Sequence, residues 1–300
     1  EFILSSKDGA DTAKFNLYAT ATDNVGNESK YWTFDRVERI SHENGREFNN
    51  LSSYDEPPTW DNFEVVATKE NPEVIIKDED ITAIEGTHKY TDNDKMYFSS
   101  GANIKFKVTD EISGINSVKV YLDGDSESGK QLTVTTKSKN DPARYDQLKT
   151  KTTSDTFSCN TGDLSEGEHT IRIYAQNNSG NIVDDGCVTK TFYVDKTAPK
   201  VTSFKFEDGS SDGDKLLSFL TFGIYHNDKI KVTVTAEDPN EDDAGNEIAS
   251  SGASSITLYN GENKLETKNV TENQAEFILS SKDGADTAKF NLYATATDNV

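Results

Sequence analysis

The sequence predicts an all-β protein made of antiparallel sandwich layers. Three observations carry the prediction. Apolar and polar residues alternate with a period of two in segment after segment, those segments recur along the chain, and no stretch holds a capped 3.6-residue period. At 103–110, Ile104, Phe106 and Val108 interleave with Lys105, Lys107 and Thr109, and at 229–236, Ile230, Val232 and Val234 interleave with Lys231, Thr233 and Thr235. One apolar and one polar face per strand is what a sheet with one side in water requires.

The recurrence has two levels. Residues 1–25 read EFILSSKDGADTAKFNLYATATDNV, and residues 276–300 read the same letter for letter, a period of 275 residues. Such fidelity implies recent duplication in a tandem array, so the 300 residues read as one period plus a 25-residue overlap. Inside the period lies a weaker repeat. Asn103–Asp110 matches Lys229–Ala236, Ser117–Tyr121 matches Ser255–Tyr259, and Thr156–Cys159 matches Glu276–Leu279. His169–Asn181 matches Phe290–Val300 continued by Gly26 and Asn27 of the other copy, and Phe192–Asp195 parallels Trp32–Asp35.

The elements follow in order. Residues 1–36 are the last strands of one domain, and 37–54 form a polar connector without alternation. Residues 55–195 are a complete domain with an enlarged first half. Its strands include 103–110, Val118 to Leu122, the segment around Cys159, Ile171 to Ala175, and 192–195. Residues 196–300 are a further domain lacking its last strand, which Asn27–Asp35 of the N-terminal copy represents. About seven short strands in a domain of roughly this size, separated by Gly, Asn and Asp turns, predict tandem immunoglobulin-like β-sandwich domains. In a periodic filament, Asn27–Asp35 of one unit would pair with Phe290–Val300 of the preceding unit.

Composition excludes several classes. Lys and Arg number 31 against 53 Asp and Glu, a net charge of −22. Residues 1–25 carry four acidic and two basic side chains, which leaves −20 per period. Phosphate backbones and anionic lipid both demand surplus cations, so no nucleic acid or membrane surface is expected as a partner. The longest apolar run, Leu216 to Tyr225, is about half of what a membrane helix needs and contains Ser218, Thr221 and Gly223. Glu1 begins mid-pattern, without the basic start and apolar stretch of a cleavable signal. Aromatic residues at 10% of the chain, set in alternating segments, argue against disorder.

Four segments resemble a known family: Asp195-Lys-Thr-Ala-Pro199, Lys229–Asp238, Asp110–Ile115 (DEISGI) and the closing ATDNVGN of Ala21–Asn27. Leu217–Asn227 is a fifth stretch of the same character. Together they are similar to the bacterial Ig-like repeats of giant, adhesin-like cell-surface proteins, across nearly the whole chain apart from 37–54. The resemblance implies an extracellular array on a bacterial cell surface, with identical repeats joined head to tail and other copies as filament neighbours. Residues 237–253 depart from the pattern as an acidic insertion.

No catalytic constellation stands out, and no enzyme is expected. His42, His88, His169 and His226 are scattered, and none sits in a zinc-protease or nucleophile motif. His169 takes the slot of Phe290, as a partly buried structural residue would. The sharper expectation is structural calcium, against a reading with no cofactor at all. Hard cations take several oxygens from a flexible loop. Asp238, Asn240, Asp242 and Asp243 offer one such set, and Asp208, Asp212 and Asp214 another, but Ala249 and Phe219 stand where an EF-hand would place its bidentate Glu. A third cluster is Asp123, Asp125 and Glu127. Against all three stands the turn chemistry of Asp, Asn, Gly and Ser. The junction carboxylates Asp195 and Asp298, with its copy Asp23, are further candidates for a bound ion. Cys159 and Cys187, 28 positions apart, could pair as a disulfide; alternatively Cys159, in the slot of Leu279, is a small buried hydrophobe and Cys187 faces outward.

The leading expectation for function is a structural spacer or fibre segment, an adhesin stalk in which each domain adds roughly 40 Å if its strands and linker lie end to end. The alternatives are a module in which a loop within residues 67–100 or the acidic insertion binds a glycan or host protein, with Tyr90, Tyr97 and Phe98 as candidate contacts against their more ordinary role in core packing, and an accessory module of a secreted enzyme.

Overall fold

The computed structural model describes residues 12–15, 18–32, 65–136, 152–208, 229–241, 244–280 and 289–300, and the fold is all-β with several separate sheets and no barrel. The strands run β1 (Thr12–Phe15), β2 (Tyr18–Thr22), β3 (Glu28–Trp32), β4 (Val65–Thr68), β5 (Glu73–Ile75), β6 (Ile81–Ala83), β7 (Lys89–Asp92), β8 (Lys95–Phe98), β9 (Ala102–Thr109), β10 (Ile115–Leu122) and β11 (Lys130–Leu132). They continue as β12 (Thr135–Thr136), β13 (Ser154–Asn160), β14 (Gly167–Asn177), β15 (Val188–Val194), β16 (Lys200–Asp208), β17 (Lys229–Glu237), β18 (Ala253–Asn260), β19 (Asn263–Asn269), β20 (Gln274–Ser280) and β21 (Leu292–Asp298). A 3₁₀ turn at Asp78–Asp80 is the helical element among the described residues. The connector at 37–54 and the segment Leu217–Asn227 lie outside those residues.

The chain forms two compact units: residues 1–81, 103–161 and 170–190, and residues 82–102, 162–169 and 191–300. In the first unit β9 sits inside the sheet ordered β12-β13-β9-β5, and β10 sits between β11 and β14. The period-two pattern does its expected job there. Ile104, Phe106 and Val108 of β9, Val120 and Leu122 of β10, and Ile171, Ile173 and Ala175 of β14 are all buried. The Phe106 ring stacks on Phe157 at 5.8 Å, where the two strands place these residues opposite one another.

In the second unit the sheets are β16-β17-β20 and β19-β18-β21. Val232, Val234, Ala236, Ile256, Leu258, Ala275, Phe277 and Leu279 make its core, and Leu292, Ala294 and Ala296 of β21 are only partly buried against it. The same unit holds the β7–β8 hairpin. Asn93 (φ 46°) and Asp94 (φ 65°) form its two-residue loop, the left-handed pair that a type I′ turn needs. Phe98 and Phe192 are fully buried and meet edge to face at 5.5 Å. Buried His169 lies 5.8 Å from Phe192, and its Nε2 is 2.8 Å from the Ser165 carbonyl oxygen.

The strand orders recur. β17 lies between β16 and β20 as β9 lies between β5 and β13, and β18 lies between β19 and β21 as β10 lies between β11 and β14. Among the described residues β21 has β18 as its strand neighbour, whereas β14 belongs to the order β11-β10-β14-β15-β8-β7.

Candidate functional site

The Asp110–Ile115 segment builds a carboxylate cradle. Asp110 Oδ1 accepts the amides of Ser113 and Gly114, both at 2.7 Å, and Asn177 Nδ2 donates to Asp110 Oδ2 at 2.8 Å. Asn177 Oδ1 in turn accepts the amides of Ser179 and Asn181, closing the turn after β14. Gly180 adopts φ 89° in that turn, a backbone that favours glycine. Both side-chain oxygens of Asp110 have hydrogen-bond partners, which offsets the cost of burying a polar group.

A second cradle follows β17. Asp238 Oδ2 accepts the Ser250 hydroxyl at 2.8 Å and the Gly252 amide at 2.7 Å, and Gly252 (φ 85°) stands where Gly114 (φ 81°) stands in the first. The counterpart of Asn177 is Asp298, by the alignment of ATD with AQN. A carboxylate has no proton to offer at neutral pH, and Asp238 Oδ1 is buried without a hydrogen-bond partner. Asn299 Nδ2 instead bonds the Ser251 and Gly252 carbonyls, each at 2.8 Å. Asp195, 1% exposed, accepts the Ser251 amide at 2.7 Å through Oδ2 and the Thr197 amide at 3.2 Å through Oδ1. Burial first, and then the charges of Asp195 and Asp298, push the Asp238 carboxyl above its ordinary value. Burial and the Asp195 charge likewise push Asp298 up, against smaller pulls from the backbone amides of Val300 and of Asp298 itself.

The sequence copy of Asp298 moves the other way. Asp23 accepts the amides of Val25 and Asn27 at 2.9 Å and the Asn27 side chain at 2.8 Å, and these bonds hold its carboxyl below the usual range. The same amino acid in the same 25-residue sequence thus takes opposite shifts, because its surroundings differ.

The calcium candidates separate on the structure. Asp238 serves the cradle. The Asn240 carbonyl accepts the Ile248 amide at 2.9 Å, which closes the acidic insertion on itself. Asp208 ends β16, its backbone opposite Ile230. Asp212, Asp214, Asp242 and Asp243 lie outside the described residues. Asp125 Oδ1 accepts the amides of Glu127 and Ser128 at 2.9 and 3.0 Å, so turn formation occupies that carboxylate. Among the described residues no group of three or more His, Cys, Asp or Glu is placed to hold a metal ion. Cys159, buried on β13, and half-buried Cys187 are free thiols in this structure.

Sequence reasoning proposed Tyr90, Tyr97 and Phe98 as aromatic contacts. Phe98 belongs to the core, but Tyr90 and Tyr97 form a half-buried surface ladder with Tyr193, with ring centroids 6.4 and 5.5 Å apart. Lys95 Nζ lies 5.1 Å from the Tyr193 ring centroid. Tyr193 was missed because its strand reads as an ordinary alternating segment; the β8–β15 pairing, Tyr193 opposite Tyr97, adds it to the ladder.

No protein-family model matches the chain, and no curated protein matches it. Among solved structures it is similar to dimeric latent PorU from Porphyromonas gingivalis, at 12% identity and a TM-score of 0.27. That alignment covers 78% of this chain and 22% of the PorU chain, so the chain spans about a fifth of the PorU length. No helix among the described residues is long and apolar enough to cross a membrane.

Proposed function

We propose that the chain is a spacer or fibre segment of a repetitive bacterial cell-surface protein, an adhesin stalk displayed outside the cell, with no catalytic role. The observation that carries the reading is the recurrence of 25 identical residues at a separation of 275, joined to strand orders that repeat within the period. In this reading the repeating Ig-like domains are residues 55–195 and 196–300, and 1–36 belongs to a preceding copy. Each domain buries its own core and adds length. The −20 charge per period keeps neighbouring arrays apart. Small-angle scattering on chains of one, two and three periods tests it: the maximum dimension should rise by a constant increment per period. A dimension that grows only as a compact body would rule the spacer role out.

The tyrosine ladder favours a second reading, a glycan-binding module. Neighbouring half-exposed aromatic rings, tilted by 34° and 32° to one another, offer apolar faces with polar tips, as sugar rings require. Loss of glycan-array signal in Tyr97→Ala and Tyr193→Ala variants would support it, and a chain that binds no glycan at all would eliminate it.

A further inference from the structure

The second cradle carries a peptide bond that the first does not. Asp238 is followed by Pro239, whereas Asp110, the carboxylate of the first cradle, is followed by Glu111. The Asp238–Pro239 link is a tertiary amide. Its nitrogen is more basic than that of a secondary amide, which makes it the better leaving group. The chain holds one other Asp–Pro bond, Asp141–Pro142, outside the described residues.

The fold bends the Asp238 carboxyl toward its own backbone. The Ser250 hydroxyl lies 2.8 Å from Asp238 Oδ2 and 3.2 Å from the Asp238 carbonyl oxygen, so one donor spans both groups. The Gly252 amide also donates to Oδ2, at 2.7 Å. The acidic insertion makes this possible. A bridge joins Glu241 to Glu247, and the Ile248 amide bonds the Asn240 carbonyl, which brings Ser250 back beside Asp238. Asp238 Oδ1 is the atom left over. It is buried and has no hydrogen-bond partner, and the titratable groups coupled to Asp238, which are Asp195, Asp298 and Tyr97, supply none. In the first cradle both carboxyl oxygens are engaged. An oxygen with neither water nor a donor loses no hydrogen bond when it attacks a neighbouring carbon.

We propose that Asp238 cuts its own peptide bond to Pro239, in a self-cleavage completed once per chain. Oδ1 of the protonated carboxyl attacks the Asp238 carbonyl carbon, and the carboxyl proton passes to the Pro239 nitrogen as the C–N bond breaks. The Ser250 hydroxyl donates to the carbonyl oxygen while charge grows on it. The product is a cyclic anhydride within Asp238, which one water opens. In balance, one peptide bond and one water are consumed, and one carboxyl and one secondary amine are formed. Asp238 and Pro239 are half-buried, which leaves a route for that water. The cut falls between β17 and β18, and the β17–β20 pairing from Lys229↔Ser280 to Thr235↔Gln274 spans it. The two pieces therefore stay together until the fold is lost. The reaction turns over no other molecule, so it stands or falls apart from the spacer role.

Mass spectrometry of the whole chain, held in mildly acidic buffer with divalent ions chelated and then denatured, reads both Asp–Pro bonds in one sample. The expected fragments end at Asp238 and begin at Pro239, and they form at least about tenfold faster than those from Asp141–Pro142. In urea the two rates should converge, because the preference belongs to the fold. Pro239→Ala should leave the chain uncut at this position. Ser250→Ala should slow the cut several-fold with an unchanged circular dichroism spectrum. Equal rates at the two bonds in the folded chain overturn the proposal. A preference that survives in urea, or a Ser250→Ala rate equal to that of the parent, overturns it as well.

Discussion

At Asn177 an amide nitrogen reaches Asp110, and the matching position holds Asp298, whose charge helps to raise the Asp238 carboxyl. A carboxyl whose pKa is raised by folding stabilises the fold while protonated, below its unfolded value, and that contribution is lost as the pH climbs through the raised value. Asp238 and Asp298 are both in this position. Asp298→Asn would restore a donor to the second cradle. With divalent ions chelated, it should raise stability at neutral pH by about 1 kcal/mol. The gain should shrink as the pH falls through the carboxylate range, where a protonated Asp298 can donate for itself. Thermal melts of the two chains across pH check this, and an unchanged or lowered midpoint at neutral pH refutes it. Thiol chemistry gives a second residue-scale prediction. Burial pushes the Cys159 thiol up to about 11, which keeps it protonated and unreactive. Iodoacetamide should label Cys187 alone in the folded chain and reach Cys159 only after denaturation; equal labelling rates would contradict this burial.

Each element is only as stable as the face it buries. Phe277 of β20 is 1% exposed at the centre of the second core. Phe277→Ala should cost about 3–5 kcal/mol through lost burial and the cavity left behind, measured by denaturant unfolding. The strands were legible because alternation writes their inward face directly into the sequence, at Ile104, Phe106 and Val108 as at Val232 and Val234. Other features had no such signal. The parallel pairing of β15 with β8 joins residues nearly a hundred positions apart, and no local rule encodes it. The two cradles were half legible. The residues of DEISGI were noticed as a motif, but the role of Asp110 as an acceptor for its own turn depends on where β14 brings Asn177. The calcium candidates were chosen by loop composition, and composition does not distinguish a ligand from a carboxylate already engaged by backbone amides, as Asp125 is.

Over the whole molecule, a charge of −22 attracts divalent cations whether or not a site exists. A specific site and a diffuse counterion atmosphere give different melting curves. Calcium held by Asp238, Asn240, Asp242 and Asp243, or by Asp208, Asp212 and Asp214, should raise the midpoint along a saturable curve, following the logarithm of free calcium above its dissociation constant. Magnesium at equal ionic strength should not reproduce it. A midpoint indifferent to calcium, or equally sensitive to both ions, would remove the calcium proposal.

The identity of β2 and β21 has a consequence for how such a chain is made. β2 pairs antiparallel with Glu28–Trp32, and two acceptors with one sequence present the same groups to that strand, so pairing energy alone discriminates weakly between neighbouring copies. Discrimination then falls to time and tether. If the chain is part of a tandem array, as proposed above, it emerges N-terminal part first, and each acceptor would meet the strand a few residues downstream long before a distant copy appears. A chain refolded from denaturant has lost that ordering, and every copy competes for every edge. In the tandem array proposed above, native pairing would therefore be inherited from the direction of synthesis.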